Sequence, residues 1–328
     1  MSTAPPSPVP ASGGSTSRSW TERLVAVLRA PWVRRGFVIA AVAAAVLAVI
    51  LEWDAVSLAV RQISWPQLLL ALLLSALNVC LAALSWRAVS AGFGAPLGLR
   101  DAGVVYLVGQ VGKYLPGGVW NLVASAELGS DRGIARRRTV GTMLVAVLIS
   151  AAVGGLLVLL TLPGAPGTPL AEHRWLVWLL PLGLLFLVPA VLNRILVGLL
   201  RLTRQEPVTE RIGWGAVLRA AWWSLLSWIA IGLQVFTLAL AVGAMPGMPL
   251  LRLAIGGYAL AWIVGFVLIF LPAGVGAREG MLALALISVL DRGGLLVVVL
   301  LSRVLLTVAD LATAGLVLLA ARTTARDR

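Results

Sequence analysis

Two short runs in this chain carry the residue types that hold anions. The first, residues 112–118, reads Gly-Lys-Tyr-Leu-Pro-Gly-Gly and places Lys113 three residues before Pro116, with Gly117 and Gly118 behind it. The second, residues 271–280, reads Leu-Pro-Ala-Gly-Val-Gly-Ala-Arg-Glu-Gly and places Arg278 and Glu279 beyond Pro272, Gly274 and Gly276. A proline ends a helix because it has no N–H to donate. The glycines beyond it expose backbone N–H groups, and a helix starting there carries positive potential. A basic side chain beside such a start suits a phosphate or a carboxylate. Tyr114, Trp120 and Asn121 flank the first break; Trp120 reads as an anchor at the membrane interface. Glu279 either pairs with Arg278 or holds a substrate amine. The alternative for both runs is a kinked helix whose lysine snorkels to the interface.

Two further charges lie in apolar sequence. Arg303 and Asp310 are seven apart, hence on one face of a helix. Charges at membrane depth are costly and face a cavity or each other. A structural ion pair and a functional pair are both open for them. The rest of the inventory is sparse. One cysteine, Cys80, and one histidine, His173, leave no disulfide framework and no Cys/His metal cluster. No catalytic motif is recognisable, and neither a metal nor a cofactor is expected.

The elements that position these residues follow from composition. Hydrophobic residues make up 60% of the 328, charged residues 12%, and the mean hydropathy is +0.99. A soluble domain carries roughly 25% charge, so a water-soluble globular enzyme is excluded. The charge is lopsided, 26 basic against 13 acidic residues. In a soluble protein that would suggest nucleic acid; beside apolar spans it sets orientation, and no nucleic-acid partner is expected.

Residues 1–19 are Pro-, Ser- and Gly-rich and predict a disordered tail. Residues 20–35 mix tryptophan, leucine and arginine as an amphipathic helix on the membrane surface. An integral membrane domain of residues 36–321 follows, then a cytoplasmic tail, 322–328. Full spans are expected near 36–51, 66–89, 139–162, 175–200, 214–242 and 295–321. Residues 53–65 suit a short interfacial segment outside. Residues 102–130 and 252–290 are apolar but broken by the two Pro/Gly runs.

Arginine clusters at 18–35, 132–138, 201–211 and 322–328 fall on one side if each broken stretch enters and leaves the membrane from the same face. Two full, closely spaced spans per stretch would keep the same flanks. The lengths, 29 and 39 residues, favour re-entrant hairpins. A shift of 156 residues superposes the two runs, with seven of twelve positions identical, including the proline and two glycines. The fold expected is therefore an all-α polytopic membrane helix bundle. It has about six full spans plus two Pro/Gly-broken re-entrant hairpins in an inverted repeat, residues 66–162 and 214–321. Interrupted helices meeting near the midplane mark transporters.

The two runs, Gly-Lys-Tyr-Leu-Pro-Gly-Gly-Val-Trp and Leu-Pro-Ala-Gly-Val-Gly-Ala-Arg-Glu-Gly, resemble the paired motifs of the lysylphosphatidylglycerol synthase transmembrane-region family, also called the flippase-like domain family. The resemblance spans roughly residues 60–320. It implies an inner-membrane protein with both termini cytoplasmic that handles a phospholipid or a lipid-linked sugar. It also implies a possible separate partner, since some relatives fuse this domain to a synthase or a glycosyltransferase. Lys113, Pro116, Pro272, Arg278 and Glu279 match the motif positions. The chain departs from the pattern at Leu122–Ala126 and Thr142–Ile149, which lack an expected basic residue and glutamate. The expectation is a translocase that holds an anionic headgroup between the hairpins. The alternative is an accessory subunit of a lipid-modifying enzyme, or such an enzyme itself. No extramembrane segment exceeds about 35 residues, short of the roughly 50 a domain needs, so an enzyme is not expected.

Overall fold

A computed structural model describes residues 46, 47, 49–114, 120–165, 170–202, 210–267 and 276–326. The described residues are helices joined by turns. Helix α1 is Trp53–Gln62 and α2 is Trp65–Gly92. A composite helix, α3, covers residues 99–114, and α4 is Trp120–Ser130. Next come α5, Arg136–Thr161; a 3₁₀ stretch, Arg174–Leu179; α6, Leu180–Leu185; and α7, Pro189–Leu202. The second half holds α8, Trp214–Ala241; α9, Met248–Val267; α10, Ala277–Leu286; and α11, Arg292–Arg326.

Five of these helices, α2, α5, α8, α9 and α11, are long and apolar enough to cross a membrane, and the bent pair around α6 and α7 makes up to six. The chain is a polytopic all-α bundle. Backbone groups in lipid must be satisfied within the segment, which is why such sequences fold as helices. α2, α5, α8 and α11 fall where hydropathy places them. α11 runs past the expected end at 321 to Arg326. Of the expected first span only residues 46, 47 and 49–51 are described, and they are helical. The tail and surface helix expected at 1–35 lie outside the described residues.

Two stretches have shapes that hydropathy does not show. The stretch 175–200 is not one straight span: it bends by 73° between its two arms. Before the bend Phe186, Leu187 and Val188 donate to carbonyls three residues back, tightening the turn. Pro189 then opens α7, where a missing N–H costs nothing. Residues 252–290 hold arms of unequal length. α9 has 20 residues, enough to span, whereas α10 has 10.

α1 is amphipathic. It buries Val56 and Ala59 and leaves Trp53 exposed, as an interfacial segment should. At its contact with α11 a Cβ on Gly293 would lie 2.6 Å from the Ala55 backbone, so only glycine allows the approach.

The axis of the bundle is the α2–α8 pair. Asn78 donates to the Ser227 carbonyl at 2.9 Å, and Ser227 Oγ donates back to the Asn78 carbonyl at 3.0 Å. About two turns along, Ser85 donates to the Ala220 carbonyl, 2.9 Å. Rising numbers on α2 meet falling numbers on α8, so the pair is antiparallel. Trp86, Val89, Ile231, Val235 and Leu238 are fully buried around it.

The ends of the bundle differ in charge. At one end Arg132 pairs with Asp101 at 3.0 Å, Arg136 forks onto Glu127 at 2.9 and 2.7 Å, and Arg138 pairs with Glu210. Arg100 reaches the Ala321 carbonyl there, joining the foot of α3 to α11. At the other end Arg252 donates to the Thr161 and Pro163 carbonyls, both at 3.0 Å, and caps α5.

Candidate functional site

The two stretches have the same layout among the described residues: a longer arm and, beyond an interval outside those residues, a shorter helix. α3 ends at Tyr114 and α4 starts at Trp120; α9 ends at Val267 and α10 starts at Ala277. The breaks expected at Pro116 and Pro272 lie in these intervals. Pro116, Gly117, Gly118, Pro272 and Gly274 themselves are outside the described residues.

α3 is not a regular helix. It passes from an α-helical turn, Leu99–Gly103, through a π-turn, Val104–Val108, and a short α segment, Gly109–Val111, to a 3₁₀ turn, Gly112–Tyr114. π-turns inside helices concentrate at functional sites. Here the tightening end of the helix presents Lys113. Close packing on α4 fixes that end. A Cβ on Gly109 would sit 2.0 Å from Ser125 Oγ, and one on Gly112 would sit 2.7 Å from the backbone of Trp120 and Asn121. Asn121 enters the site through this backbone contact.

Lys113 Nζ lies 2.6 Å from Asp310 Oδ2, and the Tyr114 hydroxyl donates to the same oxygen at 2.6 Å. Asp310 is 2% exposed and Lys113 32%. On the other stretch Arg278 bonds the Tyr258 hydroxyl, its guanidinium 4.6 Å from the centre of that ring. Glu279 Oε1 is 3.4 Å from Arg303, and its Oε2 accepts the Gly276 N–H at 2.7 Å. Gly276 has φ +86°, a conformation that favours glycine.

This arrangement corrects two expectations. Arg303 and Asp310 share a face, but two helical turns, about 10.5 Å of rise, separate them. Each pairs instead with a different broken stretch, Asp310 with Lys113 and Arg303 with Glu279. α11 is thus a shaft with one charge for each stretch. Glu279 does not pair with its neighbour Arg278; it folds back over the start of α10. The anion that this helix start attracts is the protein's own carboxylate.

Tyr258, Arg278, Glu279, Leu282, Val299, Ser302 and Arg303 line a cavity of about 10 Å³, room for roughly one water. Its cations are held from within, Arg303 by the Glu279 carboxylate and Arg278 by the Tyr258 hydroxyl. From Tyr258 an aromatic row leads outward. Trp228 lies 6.4 Å from Tyr258 and 5.5 Å from Trp262, which stacks on the exposed Phe266 at 5.3 Å. Below the cavity, Ser302 Oγ donates to Gln234 Oε1 at 2.9 Å, tying α11 to α8.

The chain carries both motifs in the right order, at the ends of broken helices that meet one charged shaft. The family model for the lysylphosphatidylglycerol synthase TM region matches residues 36–314, most of the chain. The chain belongs to that family. It is a multi-pass membrane protein, related as a membrane domain to lipid-modifying or flippase-like proteins. Among curated proteins none matches it.

Family membership gives the missed residues their context. Tyr258, Ser302 and Gln234 had no motif to mark them. A composition signal did exist for the first. The chain has three tyrosines, and all of them, Tyr106, Tyr114 and Tyr258, lie on the arms of the broken stretches. A polar ring placed there instead of in an interfacial belt points inward to a partner.

Proposed function

We propose that the chain is a translocase of the inner membrane for a phospholipid or a lipid-linked sugar. An anionic headgroup is held between the two broken stretches. The observation that carries this reading is the convergence of three cations from different elements. Lys113 ends α3, Arg278 starts α10 and Arg303 on α11 faces that start through Glu279; each is held by a group that can be exchanged. A phosphate that enters replaces Glu279 at the start of α10 and Asp310 at Lys113. The cations then bind ligand instead of protein, so no cation is left bare in lipid. The aromatic row to Phe266 gives an apolar side along which acyl chains stay in the bilayer while the headgroup crosses. If the halves form an inverted repeat, rocking one against the other exposes the site to either side in turn.

The arginine-rich end faces the cytoplasm in this reading, with both termini on that side. A separate synthase or glycosyltransferase is the class of partner that would supply the lipid.

The test is transport of fluorescent phosphatidylglycerol in liposomes containing purified protein. Lys113→Ala and Arg278→Ala should each slow it at least tenfold. Transport at the wild-type rate by both variants removes the site. Product formed from a lipid acceptor and an activated donor would make the chain an enzyme instead.

A further inference from the structure

The two ion pairs differ in what remains when a ligand takes the cation. Glu279 keeps the Gly276 N–H on its second oxygen if Arg303 turns away. Asp310 has no such reserve among its side-chain bonds in the described residues. Lys113 and Tyr114 both bind its Oδ2, and both sit on the same 3₁₀ turn, Gly112–Tyr114. Whatever draws that turn aside removes both donors together. Asp310 is also the more deeply placed acid, 2% exposed against 20% for Glu279.

An anion that captures Lys113 strips Asp310 of its counter-charge. A lone carboxylate at this depth is far costlier than a neutral acid. We infer that Asp310 takes up a proton from water when an anionic phosphodiester binds Lys113, so that anion and proton are bound and carried together. This deepens the translocase reading and rests on it. Charge balances on both sides of the step. Lysine and aspartate sum to zero before it. Lysine, phosphodiester anion and neutral acid sum to zero after it.

The other charged groups near Asp310 do not substitute for Lys113. From α3, Tyr106 and Tyr114 face it, and from α9, Tyr258. A phenol brings no cation. Arg278 on α10 is engaged by Tyr258, and Arg303, two turns along α11, by Glu279. Lys113 is the cation paired with the carboxylate, so its loss is the event that Asp310 feels.

Linkage then fixes the sign. The anion-bound state holds up to one proton more than the free state. Anion affinity therefore falls as pH rises, by at most about tenfold per pH unit.

The experiment uses the full chain in phosphatidylcholine nanodiscs, in weak buffer with a pH dye, titrated with short-chain phosphatidylglycerol. Uptake approaching one proton per lipid bound is expected, with tighter binding at about pH 6 than at about pH 8. Asp310→Asn, which mimics the neutral acid, should bind without uptake and without pH dependence. Binding by wild type with no proton uptake overturns the inference while leaving the translocase site standing. Uptake that persists in Asp310→Asn overturns it too. If that variant does not fold, the wild-type uptake decides alone. Absence of lipid binding at every pH removes both readings. Glycerophosphoglycerol, the headgroup without tails, forms the second arm. Equal uptake with it supports the coupling and assigns the anion to a soluble phosphodiester; uptake with the lipid alone assigns it to the membrane.

Discussion

At the scale of single residues, the Lys113–Asp310 pair joins the first broken stretch to α11. Removing one partner of a buried ion pair costs about 3–5 kcal/mol because the other is left bare. Lys113 is a third exposed, which places Lys113→Met toward the lower end of that range. Protonation of the stranded Asp310 would relieve it, so the loss in thermal stability should shrink as pH falls. Lys113→Met with Asp310→Leu should recover most of it. Melting curves in detergent at two pH values check both statements; a pH-independent loss contradicts them. A glycine pair gives a second prediction. Gly112→Ala drives a Cβ into the Trp120–Asn121 backbone, and overpacking of this kind costs about 1–3 kcal/mol. Gly155→Ala, in α5, meets nothing within 4 Å and should be neutral or slightly stabilising.

At the scale of elements, the joints matter more than the helices. Arg252, at the start of α9, holds two carbonyls at the end of α5. Hydrogen bonds to a charged group contribute about 1.5–3 kcal/mol each. Arg252→Ala should therefore lower the melting temperature clearly, and Arg252→Lys should recover only part, because an ammonium lacks the planar fork. Full recovery by lysine would mean that charge alone caps α5. Sequence was informative about these elements where lipid dictates length. Long apolar runs gave α2, α5, α8 and α11. It was uninformative where a tertiary choice decides. Pro189 bends α6 against α7 by 73°, yet hydropathy reads the same through the bend. The partners of Arg303 and Asp310 were invisible for a similar reason. Seven-residue spacing tells which face two charges share, but not which distant helix supplies the opposite charge. Lys113 and Glu279 were legible as charges at breaks; their bonds to α11 needed the fold.

At the scale of the whole molecule, charge and fold jointly predict an orientation. Arg100, Arg132, Arg136, Arg138 and Arg211 gather at the end where α2 finishes and α5 and α8 begin. At the opposite end Glu52, Asp54, Glu172 and Asp291 stand against Arg61, Arg174, Arg252 and Arg292, so the basic excess vanishes there. The positive-inside rule counts lysine and arginine near span ends, and it puts the first end in the cytoplasm. Antiparallel α2 and α8 constrain the answer, since a reversed orientation would have to move every cluster at once. Cysteine labelling reads it directly. Cys80 is first replaced by serine, because it is exposed. Single cysteines then go to exposed positions, Asp131 and Arg211 at the arginine end, Glu172 and Met245 at the other. In intact cells an impermeant maleimide should label Glu172→Cys and Met245→Cys and spare Asp131→Cys and Arg211→Cys until the membrane is opened. The reverse pattern would invert the bundle and place the arginine clusters outside. One position of each pair labelled would break the shared end itself, and with it the parity expected for the two broken stretches. The proton step at Asp310 depends on this result for its direction. Asp310 lies about 18 Å of helical rise from Arg322 and about 27 Å from Arg292, so the arginine end is the nearer source of protons when the site opens that way.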